Sequence, residues 1–245
     1  MSRSVVVVGG GVVGLSCALF LQRDGWTVTV VERGAPEHDS CSLGNAGMIV
    51  PSHFVPLAAP GMVGYGLRQL ANPESPFALA PRLDPDLVGW GWRFVRACTK
   101  AHVERSVTVL RDLNLRSRAL YETLAESLDD DFGLTRRGLL MLCRDPHALE
   151  EEARFAERSN GLGVPAEVVS PERLAELDPQ IAMDAAGGVF FPKDCHLDPR
   201  RLVAAMTREL ERGGARFVWN AEARGWERSG ARIASVQTTA GAVGG

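Results

Sequence analysis

The sequence has no paired cysteines, no long apolar run and no strong excess of either charge. The five cysteines are odd in number and form no C-x-x-C pair, which excludes a disulfide framework and a cysteine-based zinc site and predicts a reducing compartment. No run of about 18 apolar residues occurs, so we expect no membrane-spanning helix. The formal net charge of −3 gives no reason to expect nucleic acid or an anionic membrane surface as a partner.

The apolar run that follows Arg3 is too interrupted for a secretory signal. Three glycines break it, and it then resumes with helical spacing, which a secretory apolar segment does not need. We therefore expect a cytoplasmic protein. With 245 residues, of which 45% are hydrophobic, the chain can form one or two domains with a sizeable core.

The interrupting glycines belong to a βαβ pattern at the start of the chain. Four successive valines predict a buried parallel strand, a G-x-G-x-x-G turn follows, and a helix then leads to a second strand that ends at Glu32. In such a turn the first glycine allows a tight bend, the second lets the backbone approach a pyrophosphate, and the third lets the helix pack on the strand. The phosphates would lie on the helix N-terminus. The expected cofactor contacts are Gly9, Gly11, Val12, Val13 and Gly14.

Glu32 narrows the choice of dinucleotide. A carboxylate at the end of the second strand can accept hydrogen bonds from both hydroxyls of an adenosine ribose, and it would repel a 2′-phosphate. The βαβ pattern and this acid therefore favour FAD or NAD over NADP, and the choice between FAD and NAD stays open at this point. A glycine triplet alone can be a mobile loop, but here strand, helix, strand and acid stand in register.

Small residues dominate the segment from Cys41 to Gly47. They permit close backbone approach, so this segment is consistent with a chain that passes along an extended cofactor. An ordinary glycine-containing loop would have the same composition. On the first interpretation, the expected polar contacts are Ser42, Asn45 and the main chain of Ala46 and Gly47.

These segments together resemble the FAD-dependent amino acid oxidoreductases, above all the D-amino acid dehydrogenase branch, with glycine oxidase and sarcosine oxidase as relatives. The specific residues are the glycine turn with Glu32-Arg33 and the sequence S-x-x-N-A-G-M at 42–48. The likeness continues through the proline-rich stretch 51–60 and the sequence W-x-W-x-F at 90–94 to H-L-D-P at 196–199. It covers essentially the whole chain.

The resemblance implies FAD as the cofactor and oxidation of the C–N bond of a D-amino acid or related amine by hydride transfer to the flavin. It adds Arg33, Met48 and the main chain of Ala223 to the expected cofactor contacts. The implied fold class is α/β: a Rossmann-like FAD-binding domain (1–50 and 199–245) with an inserted α+β substrate domain (51–198), incomplete at the C-terminus.

Relatives in this family continue well beyond the last residue of this chain. We therefore expect a truncated chain, or one whose other half comes from elsewhere, and missing strands would leave an exposed sheet edge. The alternatives are a non-catalytic FAD-binding subunit or fragment and, from the βαβ pattern alone, an NAD-dependent dehydrogenase. Oligomerisation and peripheral contact with the inner face of a membrane and its respiratory chain also stay open.

The sequence does not identify the residues that bind a substrate. Holding an amino acid carboxylate needs an arginine, often with a tyrosine hydroxyl, and no arginine stands in a recognisable motif. Weak catalytic candidates are His53 and Tyr65, and His196 is a further histidine worth testing, although a lone loop histidine is more often only solvated. No metal-ligand spacing and no P-loop occurs, so no metal site is expected.

The pattern of the remaining sequence predicts an antiparallel sheet with helices and a return to the first domain. We expect no long regular element between Val55 and Pro85, where proline and glycine are frequent and a loop covering a ligand site is plausible. Trp90, Trp92 and Phe94 are expected to pack in the core rather than form a cofactor site. Helices are predicted at 86–99, 101–128, 147–161, after Ser170 and at 199–212, and strands at 138–143, 187–192, 216–219 and 232–239.

Overall fold

The computed structural model describes residues 3–70, 72, 75, 84–128 and 132–244. In chain order its elements are β1 (Ser4–Val8), α1 (Val12–Arg23), β2 (Thr27–Val31), β3 (Met48–Ile49), α2 (Met62–Gln69), α3 (Pro85–Ala97), α4 (Lys100–Ser127), β4 (Leu139–Cys143), α5 (Pro146–Gly161), β5 (Glu167–Val169), α6 (Pro171–Leu177), β6 (Gly187–Phe191), β7 (Cys195–His196), α7 (Pro199–Arg212), β8 (Arg216–Val218), β9 (Ala223–Ser229), β10 (Arg232–Thr238) and β11 (Gly241–Gly244). Within these residues, no helix combines the length and apolarity needed to cross a membrane.

The chain divides into two compact units. The first contains Met1–Met48, Tyr121–Thr135 and His196–Gly245, and the second contains Ile49–Leu120 and Arg136–Cys195. The sequence interpretation separated domains after residues 50 and 198 and did not set 121–135 apart. Helical periodicity is uniform along α4, so it carries no sign of the change of unit within that helix. The predicted domain boundaries stay a prediction.

The first unit is built on a parallel sheet with the strand order β1-β2-β8. β1 and β2 pair from Ser4↔Thr27 to Val8↔Val31, and β2 pairs with β8 on its other side. Val28, Val30 and Val31 of β2 are buried, as a parallel strand covered on both faces requires. The prediction that β1 is buried as well was wrong for these residues, since its valines are only partly buried and Val8 is 56% exposed. Helices α1 and α7 pack against each other, and the Gln22 side chain of α1 donates to the Leu210 carbonyl of α7 at 2.9 Å.

Helix α7 has the bounds that its capping residues predict. Asp198 accepts hydrogen bonds from the N–H groups of Arg200 and Arg201, at 2.9 and 3.1 Å, and Pro199 stands at the first helical position. The helix ends at Arg212, before two glycines. Its buried residues recur at helical spacing: Leu202, Val203, Ala205, Met206 and Leu210.

Residues 223–244 form an antiparallel sheet in the order β11-β10-β9. The prediction of a strand near 232–239 is confirmed by β10, whereas the ribbon predicted for 220–231 contains a seven-residue strand, β9. Strand β11 was not predicted, because small residues give it little strand propensity. Its one large apolar residue, Val243, is buried against Val31 and Ala221.

The second unit contains the antiparallel sheet that the sequence predicts, in the order β4-β6-β5. The register between β4 and β6 runs from Leu139↔Phe191 to Cys143↔Gly187. Helix α5 packs on this sheet through Ala156, which is buried with Val189 and Phe191. A second cluster joins Phe54, Val103, Val107 and Val164.

Two expectations for this unit were wrong or incomplete. Trp90 and Trp92 are not core residues, since 51% and 60% of their surface is exposed. Trp90 stacks on Phe94 at 5.3 Å, and the Arg96 guanidinium lies over Trp92 at 4.6 Å, so each ring finds its partner on its own helix. The region expected to lack long elements contains the eight-residue helix α2, while three of its six prolines, Pro73, Pro76 and Pro81, lie outside the described residues.

Candidate functional site

The turn between β1 and α1 depends on two glycines for steric reasons. Gly9 has a φ of +107°, which L side chains rarely adopt, and its N–H donates to the Val31 carbonyl at 2.8 Å. A Cβ on Gly14 would lie 1.9 Å from the Gly9 carbonyl oxygen. Glycine at these positions therefore lets the chain turn sharply and lets α1 approach β1, as the motif predicts.

Gly11 has a further role that the motif does not reveal. It is the N-cap of α1 and offers no side-chain cap, while the Val12 N–H donates to the Ser42 hydroxyl at 3.0 Å. A Cβ on Gly11 would approach that hydroxyl to 2.9 Å, so the missing side chain makes room for Ser42. The first intrahelical bond runs from Leu15 to Gly11, which leaves the N–H groups of Val13 and Gly14 without an acceptor inside the helix. These groups and the helix dipole favour an anion.

Glu32 lies at the end of β2 and is only 8% exposed. Its Oε2 accepts the Gly10 N–H at 2.6 Å, and its Oε1 accepts the Gly34 N–H at 2.8 Å. Burial raises the pKa of Glu32, but the two backbone hydrogen bonds and the positive charges of His38 and Arg33 outweigh it and leave the pKa below the ordinary value. Glu32 is therefore a charged acceptor at neutral pH, and each oxygen keeps a lone pair for a further donor.

Backbone pairing brings the segment that precedes β9 next to Glu32. The Glu32 N–H donates to the Val218 carbonyl, and the Ala221 N–H donates to the Glu32 carbonyl, at 3.0 and 2.9 Å. Together with the glycine turn, these segments enclose a cleft of about 270 Å³. Its lining residues are Val8, Gly9, Val31, Glu32, Arg33, Ala221, Glu222 and Ala223.

The segment predicted to run along the cofactor is held by its own side chains. The Asn45 amide nitrogen donates to the carbonyls of Cys41 and Ser42, and its oxygen accepts the Gly47 N–H at 2.7 Å. Gly47 has a φ of +63°, and a Cβ there would lie 2.0 Å from the Leu197 carbonyl oxygen. Ala46 and Met48 are exposed. Asn45 and Gly47 thus shape this loop, and direct contacts from its residues to the cofactor stay a prediction.

The cleft fits the adenosine end of FAD. It contains a charged carboxylate for ribose hydroxyls, and the glycine turn that lines it leads into the N-terminus of α1, whose N–H groups at Val13 and Gly14 are available for phosphates. In the described part of the chain, two buried polar atoms nearby, His38 Nε2 and Ser40 Oγ, have no hydrogen-bond partner. Buried polar atoms are rarely left unsatisfied in a complete structure. Of the residues described, none form a cluster able to hold a metal ion.

The catalytic candidates lie in different surroundings from these cofactor candidates. His53 is an exposed residue of the second unit, and Tyr65 lies on α2 of the same unit with 46% of its surface exposed. His196 is exposed in the first unit and exchanges two backbone hydrogen bonds with Thr135. The structure also reveals two buried polar residues that the sequence interpretation did not select, Ser52 and Asp194.

Residues 4–244 match the protein-family model DAO, which describes FAD dependent oxidoreductases. The chain belongs to this family. FAD is therefore the cofactor, as the sequence predicts, and the α/β FAD-binding fold is confirmed. An NAD-dependent dehydrogenase is not supported by this family.

Curated relatives in this family include two proteins named D-amino acid dehydrogenase 2. The one from Mesorhizobium japonicum is 32% identical over 98% of this chain and 59% of its own length. The one from Ralstonia nicotianae is 32% identical over 96% of this chain and 56% of its own length. The chain thus spans little more than half the length of these relatives.

Solved structures of the same fold cover nearly the whole chain. Glycine oxidase from Geobacillus kaustophilus matches 99% of this chain and 54% of its own, with a TM-score of 0.70 and 21% identity. L-α-Glycerophosphate oxidase from Mycoplasma pneumoniae, solved with FAD bound, matches 98% of this chain and 50% of its own, with a TM-score of 0.64 and 15% identity. At these identities the likeness shows the fold alone.

Proposed function

We propose that this chain is the FAD-binding part of an enzyme that oxidises the C–N bond of a D-amino acid, or of a related amine, by hydride transfer to the flavin. The observation that carries the proposal is the Glu32 cleft, in a member of the FAD-dependent oxidoreductase family with relatives named D-amino acid dehydrogenase. The small-molecule substrate would lose a hydride from its α-carbon and become an imine, which water hydrolyses.

In this proposal FAD accepts the hydride, and residues of the first unit bind the FAD. Glu32 can accept hydrogen bonds from the ribose hydroxyls because both of its oxygens are already oriented by Gly10 and Gly34. The N–H groups of Val13 and Gly14 would donate to the pyrophosphate, which a βαβ unit binds at the N-terminus of its helix. The main chain at Ala223 lines the same cleft, which supports its predicted contact with the adenine.

The visible spectrum of the purified protein tests the cofactor and the reaction in two steps. The protein should be yellow, either as isolated or after reconstitution with FAD. A panel of D- and L-amino acids is then added under anaerobic conditions without an electron acceptor, and the matching amino acid should bleach the flavin bands. The bands should return when an artificial electron acceptor is supplied. A protein that cannot be reconstituted with FAD would contradict the proposal.

A second candidate is FAD binding without turnover. Its supporting observation is that the chain covers only 56–59% of the first relatives' lengths. Tight flavin binding with no bleaching by any amine of the panel would favour this candidate over the first. For either candidate function we also propose a cytoplasmic location. Peripheral contact with the inner face of a membrane and assembly with a further subunit are part of this proposal.

A further inference from the structure

Helix α3 lies in the second unit and buries none of its thirteen residues against the described part of the chain. An isolated helix of this length is marginal in water, and most helices in proteins are stabilised by packing an apolar face. Four large apolar side chains of α3 keep at least half of their surface exposed: Val88 at 70%, Trp90 at 51%, Trp92 at 60% and Val95 at 52%. The apolar face of α3 is therefore open to a further contact.

The exposed side chains form a continuous face along the helix. Val88, Trp92 and Val95 are spaced by four and three residues, which places them in one row. Trp90 and Phe94, stacked at 5.3 Å, extend this apolar surface round the helix. A row of this kind is the side that an amphipathic helix turns toward an apolar partner.

The charged residues of α3 occupy the remaining arc and are mostly basic. Arg93 and Arg96 are exposed, and Asp86 in the first turn is the one acid of the helix. The Arg96 guanidinium lies over the Trp92 ring at 4.6 Å, so a cation stands at the border of the apolar face. The sequence 62–100 has five basic and three acidic residues, whereas the whole chain has a net charge of −3. Positive charge is thus concentrated in the sequence around this helix.

An anionic bilayer surface meets both requirements of such a helix. Tryptophan is enriched at the boundary between hydrocarbon and headgroups, and arginine can keep its head among phosphates while its stem lies on apolar surface. Amphipathic helices with aromatic and aliphatic residues on one face and basic residues on the other lie in the plane of that boundary. The basic border of the α3 face favours lipid phosphates over an apolar polypeptide surface as the covering partner.

We propose that α3 binds in the surface of an anionic bilayer, with Val88, Trp92 and Val95 facing the acyl chains and Arg96 beside the headgroup phosphates. Arg93 adds positive charge on the side that faces solvent. This inference rests on the proposed function, of which peripheral membrane contact is a part, and it names the surface that makes the contact. The contact is reversible, because one short helix buries far less apolar surface than a membrane-spanning segment.

Vesicle flotation of the FAD-loaded protein tests the partner. Binding is compared between vesicles made of equal parts of phosphatidylglycerol and phosphatidylcholine and vesicles of phosphatidylcholine alone. We expect binding to the anionic vesicles, weakened about 30-fold when Arg93→Gln and Arg96→Gln are combined, since each basic residue near an anionic surface contributes about fivefold. Failure to bind the anionic vesicles would overturn the proposal and favour a protein partner. Equal binding to both kinds of vesicle would also overturn it, because the proposal requires anionic lipid.

Quenching by lipids brominated on their acyl chains locates the contact on the protein. Bromine quenches the tryptophans that reach the acyl chains, so the fluorescence of the bound protein should fall. Trp92→Ser should lose much of this quenching and bind about tenfold more weakly, because it removes a large apolar side chain from the contact. Unchanged binding and quenching in Trp92→Ser would overturn the assignment to α3.

The matched control is Trp226→Ser on β9 of the first unit, where the tryptophan is 66% exposed, close to the value for Trp92. This variant should bind the vesicles normally and keep the quenching. Loss of binding in Trp226→Ser would assign the contact to another surface. Circular dichroism and the FAD absorption spectrum check that each variant is folded. If Trp92→Ser does not fold, Val95→Ser from the same row decides the question.

Vesicle binding and flavin reduction fail independently. If an amino acid of the panel reduces the flavin and the anionic vesicles are not bound, the role of α3 is wrong and the proposed oxidation stands. If the vesicles are bound through α3 and no amine reduces the flavin, the proposed oxidation fails and the membrane surface stands.

Discussion

Glu32 in the first unit and Asp194 in the second are both buried carboxylates, yet their pKa values move in opposite directions. Burial is the largest influence on both and raises both pKa values. For Glu32, two backbone N–H groups and the nearby charges of Arg33 and His38 exceed it, and the pKa falls. For Asp194, the hydrogen bonds from Ser52 and the nearby charges are too weak to offset burial, so the pKa of Asp194 rises.

The difference shows two ways of building a polar site. The Glu32 site is made by main chain, since glycines bring N–H groups close enough to solvate a carboxylate. The Asp194 site is made by side chains, and its acid is almost completely enclosed with a serine as its direct donor. A charge held by main-chain donors suits the binding of a neutral ribose.

The largest effect should come from closing the space on which the Glu32 site depends. Gly14→Ala places a Cβ 1.9 Å from the Gly9 carbonyl oxygen, so α1 must move away from β1. We expect a loss of about 3 kcal/mol in the free energy of unfolding, the upper range for overpacking, and loss of FAD binding. Urea denaturation and flavin titration measure the two. Gly161→Ala, in helix α5 of the second unit where a Cβ meets nothing within 4 Å, should neither lower stability nor change FAD binding.

The next effect concerns the carboxylate itself. Glu32→Gln keeps the size of the side chain but replaces one of two accepting oxygens by an amide NH₂ group, which faces a backbone N–H of Gly10 or Gly34. We expect FAD affinity to fall about 10- to 100-fold, the range for one lost acceptor bond with an unpaired buried donor. Fluorescence titration checks this. Glu37→Gln, at an exposed site in the following loop, should bind FAD normally.

A smaller effect is expected from the loop that follows Glu32. Asn45→Ala removes the three hydrogen bonds that shape residues 41–47 and should cost about 1 kcal/mol in stability, with a several-fold loss of FAD affinity. Asn160→Ala is the matched control, because that side chain makes two similar bonds to Ala166 in the second unit. It should lower stability by a similar amount without changing FAD affinity. Unchanged FAD affinity in Asn45→Ala would show that this loop does not serve the cofactor.

The smallest expected effect is a difference in pH dependence. Because the folded pKa of Glu32 is lowered, its contribution to stability is full above the unfolded pKa of about 4.3 and disappears as the pH falls through the folded value. Because the folded pKa of Asp194 is raised, its ionisation destabilises the folded state progressively as the pH rises from the unfolded value of about 3.9 through the folded value. Relative to the unmodified protein, Glu32→Gln should therefore become less stable with rising pH and Asp194→Asn more stable.

Urea midpoints of both variants, measured from about pH 3.5 to 7, give the two slopes. Slopes of the same sign would break the contrast between the two carboxylates. The isosteric substitutions keep the change in packing small, so the pH dependence reports the charge rather than the shape of the side chain.

Much of the first unit was accessible from local sequence alone. The strand, turn and helix around Gly9, Gly11 and Gly14, and the capped helix after Asp198, each depend on contacts within a few residues. Local propensity also accounts for two of the three strands of the second sheet, β4 and β6, and for the helix that Ser170 caps, whereas the short strand β5 was not predicted. The core placement of Trp90 and Trp92 was wrong because an aromatic side chain can find its partner on its own helix, and hydrophobicity does not show whether another element covers it.

The sequence by itself determined the adenosine-binding pattern, because the glycine turn and the acid at the end of the next strand both lie within one short βαβ unit whose spacing is set locally. Only the tertiary structure decided that Ser42 occupies the space beside Gly11, that Ala221 pairs with Glu32, and that Ser52 meets Asp194. These contacts join residues between 30 and nearly 190 positions apart, and no local periodicity records them. The pKa of a buried carboxylate depends on such distant donors, which is why the two acids could not be told apart before the fold was known.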